Sequence, residues 1–241
     1  MHVPDGFIDA PVSVAAGAVA VVGVAVSLRG ARRELDDRTA PLAGLTAAFV
    51  FAAQMLNFPV AAGTSGHLLG GALAAILAGP YTAVLCMAVV LGLQALLFAD
   101  GGLSALGVNI TIMGLVTVAV GYGVFRLLLR VLPAARPAVT GAAFAAALAS
   151  VPASAAAFTL IYALGGTTEV PLGSVAAAMI GVHVLIGVGE ALITSLTVSS
   201  VLAVRPDLVY GARGLIKRPE LRTRTVSGSG GAAGEPSGAG A

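Results

Sequence analysis

The chain opens Met-His-Val-Pro-Asp-Gly, and its first two residues can make a metal chelate by themselves. Initiator methionine is normally trimmed only before a small residue, so the bulky His2 is expected to leave Met1 in place. The α-amine of Met1, the His2 amide once deprotonated and the His2 imidazole Nδ1 then close two fused rings on one ion. Three coplanar nitrogens leave a fourth equatorial position, an arrangement that suits Ni(II) and Cu(II) and also admits Co(II). Binding displaces protons from the amine and the amide, so it should weaken as pH falls. His67, in Gly66-His67-Leu68-Leu69-Gly70-Gly71, is the candidate fourth ligand. Thr64 or Ser65 is expected to cap the helix that follows, holding the imidazole at the outer rim. Pro4 and Gly6 bend the leader, which should let residues 1–6 fold back into the mouth of a bundle. A second-position histidine is more often incidental than a ligand, and a lone histidine at a helix start more often a cap. The case rests on two of the three histidines and the amine falling on one face.

The elements that must carry these groups are membrane helices. Of 241 residues, 58% are hydrophobic and 10% charged, with a mean hydropathy of +0.99. A soluble domain carries about 25% charge. That excludes a soluble enzyme, a nucleic-acid binder and a disulfide scaffold; the single cysteine, Cys86, lies in an apolar run. Apolar segments fall at 11–28, 41–60, 66–79, 81–99, 107–128, 138–163 and 175–204. Most approach the ~20 residues that cross a hydrocarbon core. The third is short, rising about 21 Å as a helix, and could span or re-enter.

Charge chooses between these. The 13 basic residues form three clusters: Arg29 to Arg38, Arg126 to Arg136, and Arg205 to Arg224. With seven crossings and the N-terminus outside, every cluster is cytoplasmic, and the outer loops hold Asp5, Asp9, Asp100 and Glu169 with no Lys or Arg. The positive-inside rule therefore predicts an all-α integral membrane protein: a bundle of seven transmembrane helices, N-terminus outside and C-terminus cytoplasmic, in the cell membrane. Residues 1–10 are the chelating leader and 11–204 the membrane domain. Residues 205–241 are a basic cytoplasmic segment and a Gly/Ser/Ala tail too polar to build a core. The first apolar segment is not a secretory signal, because its arginines follow it. No G-x-x-x-x-G-K-[ST] loop occurs, so ATP hydrolysis by this chain is not expected. Within the last span His183 and Glu190 lie seven residues apart on one helix face. Ionisable residues in a membrane are functional by default, but a structural hydrogen-bonding role for the pair within the bundle is the favoured reading.

Several of these segments together resemble a known family. They are Met1-His2-Val3-Pro4-Asp5-Gly6-Phe7, Asn57-Phe58-Pro59-Val60, Gly63-Thr64-Ser65-Gly66-His67-Leu68-Leu69-Gly70-Gly71, Gly79-Pro80, His183-Val184-Leu185-Ile186-Gly187 and Gly189-Glu190-Ala191-Leu192-Ile193-Thr194. Residues 1 to about 204 look like the CbiM/NikM family, the substrate-binding membrane components of energy-coupling-factor transporters for cobalt and nickel. The resemblance implies seven membrane helices with the leader plugged into the bundle. It implies a metal held by the Met1 amine, the His2 amide and imidazole, and His67. Asp5, Asn57, Thr64, Ser65, Asn109, His183 and Glu190 become supporting or structural residues. Co2+ or Ni2+ is then the transported substrate, with no permanently bound cofactor. The implied partners are a transmembrane coupling subunit, ATPase subunits and, in many systems, a small accessory membrane subunit. In Asn109-Ile110-Thr111-Ile112-Met113-Gly114 the family commonly has a second asparagine where Ile112 stands, which questions part of the polar surround but not the ligands. Cobalt is the favoured metal. Nickel uptake by the same kind of system and a stand-alone metal permease or channel are the alternatives, the latter short of a polar path through the spans.

Overall fold

The computed structural model describes residues 1–37, 39–56, 58–59 and 65–215. Seven helices are found among them: α1 (Ala10–Ala31), α2 (Ala40–Gln54), α3 (Gly71–Ala78), α4 (Pro80–Leu97), α5 (Leu106–Val131), α6 (Arg136–Gly165) and α7 (Leu172–Val204). Five of these, α1 and α4 to α7, are long and apolar enough to cross a membrane. The expected segments 41–60 and 66–79 are shorter as helices. The chain between α2 and α3 includes a two-residue antiparallel pairing of Phe58–Pro59 with Ser65–Gly66. Asn57 and Thr64 lie outside the described residues.

Proline sets several helix starts. Pro11, Pro41, Pro80 and Pro137 all sit in first turns, where the missing N–H would have no partner anyway. In α1 the Asp9 carboxylate adds a cap, accepting from Val12 N at 2.9 Å. A π-helical stretch, Ile110–Val116, lies inside α5. The carbonyl of Ile112 within it accepts from Ser154 Oγ of α6 at 2.6 Å. Such bulges release carbonyls from the helical ladder and occur often at functional sites.

All eight residues of α3 are buried, so this short helix is enclosed by its neighbours. The helix start expected beside His67 is not found: α3 begins at Gly71, after segment 67–70. Gly70 stands at the N-cap with φ +80° and no side-chain cap of its own. Glycine is required there twice over, by the positive φ and because a Cβ would meet Val50 at 2.7 Å.

The bundle has two unlike ends. At one, the leader is knitted to the α6–α7 connection: Asp9 N donates to Gly165 O and Thr167 N to Phe7 O. The Phe7 ring there packs against Phe158 and Tyr162. At the other, Phe125, Val139, Leu202, Val209 and Ala212 form an apolar cluster with Leu73, Ile76 and Leu77 of α3. Arg29, Arg126, Arg130, Arg136 and Arg205 all belong to helix termini at this second end.

Candidate metal-binding site

The leader does fold back into the bundle, and its first residue goes deepest. Met1 and Val3 are fully buried and His2 nearly so, while Asp5 and Gly6 are exposed. Backbone clamps hold this path. Val3 N donates to Asn109 Oδ1 at 2.8 Å, and Asn109 Nδ2 returns a bond to Val3 O at 3.2 Å. Gly102 N adds a second donor to Val3 O at 2.9 Å. The Asp5 carboxylate accepts from Ser104 N and Oγ at 2.7 and 2.5 Å. Those two bonds hold its pKa below the ordinary carboxylate value. Ser154 Oγ lies 3.9 Å from the Met1 sulfur.

The two imidazoles meet face to face. The rings of His2 and His67 stack with centroids 4.5 Å apart and 26° between planes. His2 Nε2 lies 3.1 Å from Gln94 Oε1, an acceptor for a proton on Nε2; in that tautomer Nδ1 keeps its lone pair. Nδ1 is 3.0 Å from Asp100 Oδ1, off the line of a hydrogen bond. His67 Nδ1 donates to Leu68 O at 2.8 Å, and its buried Nε2 has no hydrogen-bond partner. Each ring is thus held by one nitrogen with the other presented as a donor, the arrangement usual for ligating histidines. His67 lies within the bundle, not at its rim as the sequence had suggested.

Burial pushes the Met1 amine well below its ordinary value of 8.0, against an opposing pull from Asp100. Among the described residues no three His, Cys, Asp or Glu side chains gather into a metal-holding group.

His183 and Glu190 each make hydrogen bonds within the bundle, to separate partners. His183 Nδ1 donates to Met179 O at 2.7 Å, one turn back on its own helix. Glu190 accepts from Leu69 N at 2.6 Å and Gly70 N at 3.0 Å. The two residues share a face of α7 but serve different partners. Ser65 pairs through its backbone with Pro59.

Gln94, Asp100, Ser104 and Ser154 were not singled out as site residues from the sequence. Gln94 carried the clearest signal, a lone amide in an otherwise apolar helix, where a polar side chain seeks a partner. Asp100 is delivered by Ala99, whose φ of +51° is unusual for a residue with a Cβ. Asp100-Gly101-Gly102 marks a turn there, but nothing local sets the left-handed conformation at Ala99.

The family described as CbiM, cobalt uptake substrate-specific transmembrane region, matches residues 2–208. A Haloquadratum walsbyi protein named for metal transport is 41% identical over 210 residues, 87% of this chain and 94% of its own length. A cobalt transport protein CbiM of Sorangium cellulosum is 35% identical over 214 residues, with the same two coverages. A fused nickel transport protein NikMN of Rhodobacter capsulatus is 41% identical over 128 residues, 53% of this chain and 37% of that protein. A crystal structure described as a truncated transition metal transporter superposes with a TM-score of 0.74 at 30% identity. It covers 84% of this chain and 99% of its own.

Proposed function

Because the chain belongs to the CbiM family of cobalt-uptake transmembrane regions, we propose that it is the metal-capturing membrane subunit of an energy-coupling-factor importer, with Co2+ as the favoured cargo. The observation that carries this reading is the full burial of Met1 at the head of the leader together with the stacked imidazoles of His2 and His67. The ion would take the amine, the His2 amide, His2 Nδ1 and His67 Nε2. Asn109 and Gly102 hold Val3 so that the first peptide stays in the plane of the chelate. Gln94 orients the first ring and the Leu68 carbonyl the second. Amide deprotonation accompanies binding, so a captured ion is exchanged for a proton. Nickel remains the second reading, since relatives carry both cobalt and nickel names and four nitrogens suit either ion.

A coupling membrane subunit and ATPase subunits would supply the energy, with a small accessory membrane protein in some systems; this chain has no phosphate-binding loop of its own. Uptake that persisted without any ATPase would favour the stand-alone permease instead. The seven-crossing arrangement counts the segment from His67 to Gly79 as one passage. Its support is that His67 packs on the leader before α1 while Gly79 packs on Glu34 after it.

The deciding experiment adds one residue ahead of Met1, or acetylates its amine. Tight Co(II) binding by isothermal titration should disappear while the fold is retained; unchanged affinity would reject the chelate. Orientation is tested by single cysteines in a Cys86-replaced background. One at Glu169 should react with an impermeant thiol reagent from outside, and ones at Arg33 or Arg136 should not. The reversed pattern would overturn the outside N-terminus.

A further inference from the structure

We infer that Glu190 is the positioning residue that sets His67 for the metal, acting through the backbone of Leu69 and Gly70. The inference rests on the chelate reading and concerns how its fourth ligand is held. His67 lies in segment 67–70, which is neither helix nor strand. Its imidazole is tied to the Leu68 carbonyl, so the direction of Nε2 follows the path of that backbone. The next peptide is gripped from two helices. Glu190 of α7 takes the N–H groups of Leu69 and Gly70 at 2.6 and 3.0 Å. Gln54 of α2 donates to the Leu69 carbonyl at 2.6 Å. A shift of either grip would move Leu68 and swing the imidazole.

A helix start needs caps for its free N–H groups, and a local Ser, Thr, Asp or Asn usually supplies one. At α3 the N-cap is Gly70, which has no side chain to offer. The cap comes instead from a carboxylate 120 residues away in sequence, carried in the middle of an apolar helix and only 2% exposed. Such a group is costly in a membrane interior. Its placement does something a local cap cannot: it fixes the His67 segment relative to α7.

The test uses the purified full-length subunit titrated with Ni(II), comparing affinity and absorption spectrum. Glu190→Ala should weaken binding by about 10- to 100-fold, the usual effect of losing a residue that orients a ligand. It should also shift the Ni(II) absorption band to that of His67→Ala, because the imidazole leaves the ion in both. The double variant should bind no more weakly than His67→Ala alone. Glu190→Gln, which keeps the volume and one acceptor, should fall between wild type and Glu190→Ala, and carries the test if Glu190→Ala does not fold. Wild-type affinity and spectrum in both Glu190 variants would overturn the inference, as would losses that add in the double variant, since those mark a general structural role. Wild-type binding by His67→Ala would overturn the chelate, and this inference with it.

Discussion

Two buried carboxylates cap two helix starts in this protein, and the consequences differ. Glu190 closes the start of α3 through Leu69 N and Gly70 N. Glu34 closes the start of α4 through Tyr81 N at 3.2 Å and Thr82 N at 2.7 Å. Each works beside a glycine of positive φ, Gly70 in one case and Gly79, at φ +102°, in the other. A Cβ at Gly79 would meet the Glu34 carboxyl carbon at 2.5 Å. Glu34 reaches α4 from the turn after α1, at the arginine-rich end, and what it holds is a helix start. Glu190 holds a segment that carries a candidate ligand. The chemistry of the cap is the same in both; what differs is whether the capped segment leads into the site.

The largest contrast should come from removing groups at the two ends. His67→Ala takes a nitrogen from the ion, so affinity should fall by at least the ~10–100-fold that loss of an orienting residue costs. Glu34→Ala should leave metal affinity unchanged while destabilising the metal-free subunit by about 1–3 kcal/mol, the cost of leaving buried N–H groups unpaired. Metal titration and thermal unfolding, run side by side, separate the two. A Glu34→Ala subunit that unfolds normally but loses metal would break the comparison.

A smaller effect is expected at Asn109, whose side chain makes two bonds to Val3. Asn109→Ala frees the leader one residue beyond the chelate without removing a donor or touching His67. Affinity should fall about 10-fold, at the low end of the range for orienting residues. The Ni(II) band should keep its four-nitrogen position. A band matching that of His67→Ala would mean that leader and His67 segment are positioned together and not separately.

The smallest effect concerns pH. Burial lowers the folded-state pKa of the Met1 amine well below 8.0, so the metal-free folded state holds fewer protons than the unfolded chain. This group therefore removes stability as pH falls through 8.0, until the lowered folded value is reached, and contributes no slope above 8.0. Metal affinity should also drop as pH falls. The amine's share of that loss should begin at lower pH than in a free Met-His-Val peptide, because the buried amine competes less for protons. Titrations of subunit and peptide from about pH 8 to about pH 6 compare the two. Parallel curves would show that the amine is solvated in the metal-free subunit.

The leader was legible because its chemistry is covalently local. An amine, an amide and an imidazole on two successive residues are a candidate chelate readable without any knowledge of the fold, and Pro4 and Gly6 mark the bend. His67 was legible as a partner but not in its setting. The expected Thr64 or Ser65 cap presumed a helix beginning beside it, and α3 starts only at Gly71. The pairing of His183 with Glu190 followed correctly from helical spacing as a shared face. Spacing did not identify the partners, which are backbone groups: Met179 on the same helix, and Leu69 and Gly70 across the bundle.

The sequence by itself determined that this is a membrane chain, since apolar runs of helical length must be buried in lipid or protein. It also placed the arginines at one set of helix ends and the chelating donors at the head of the chain. Only the tertiary structure decided that α3 is a short enclosed helix, that Gln94 and Asp100 face His2, and that Glu190 grips the His67 segment. Hydropathy and spacing act over a few turns of one helix. A buried hydrogen-bonding group, denied water, takes whichever partner packing brings within about 3 Å, and here those partners lie 92 to 121 residues away along the chain.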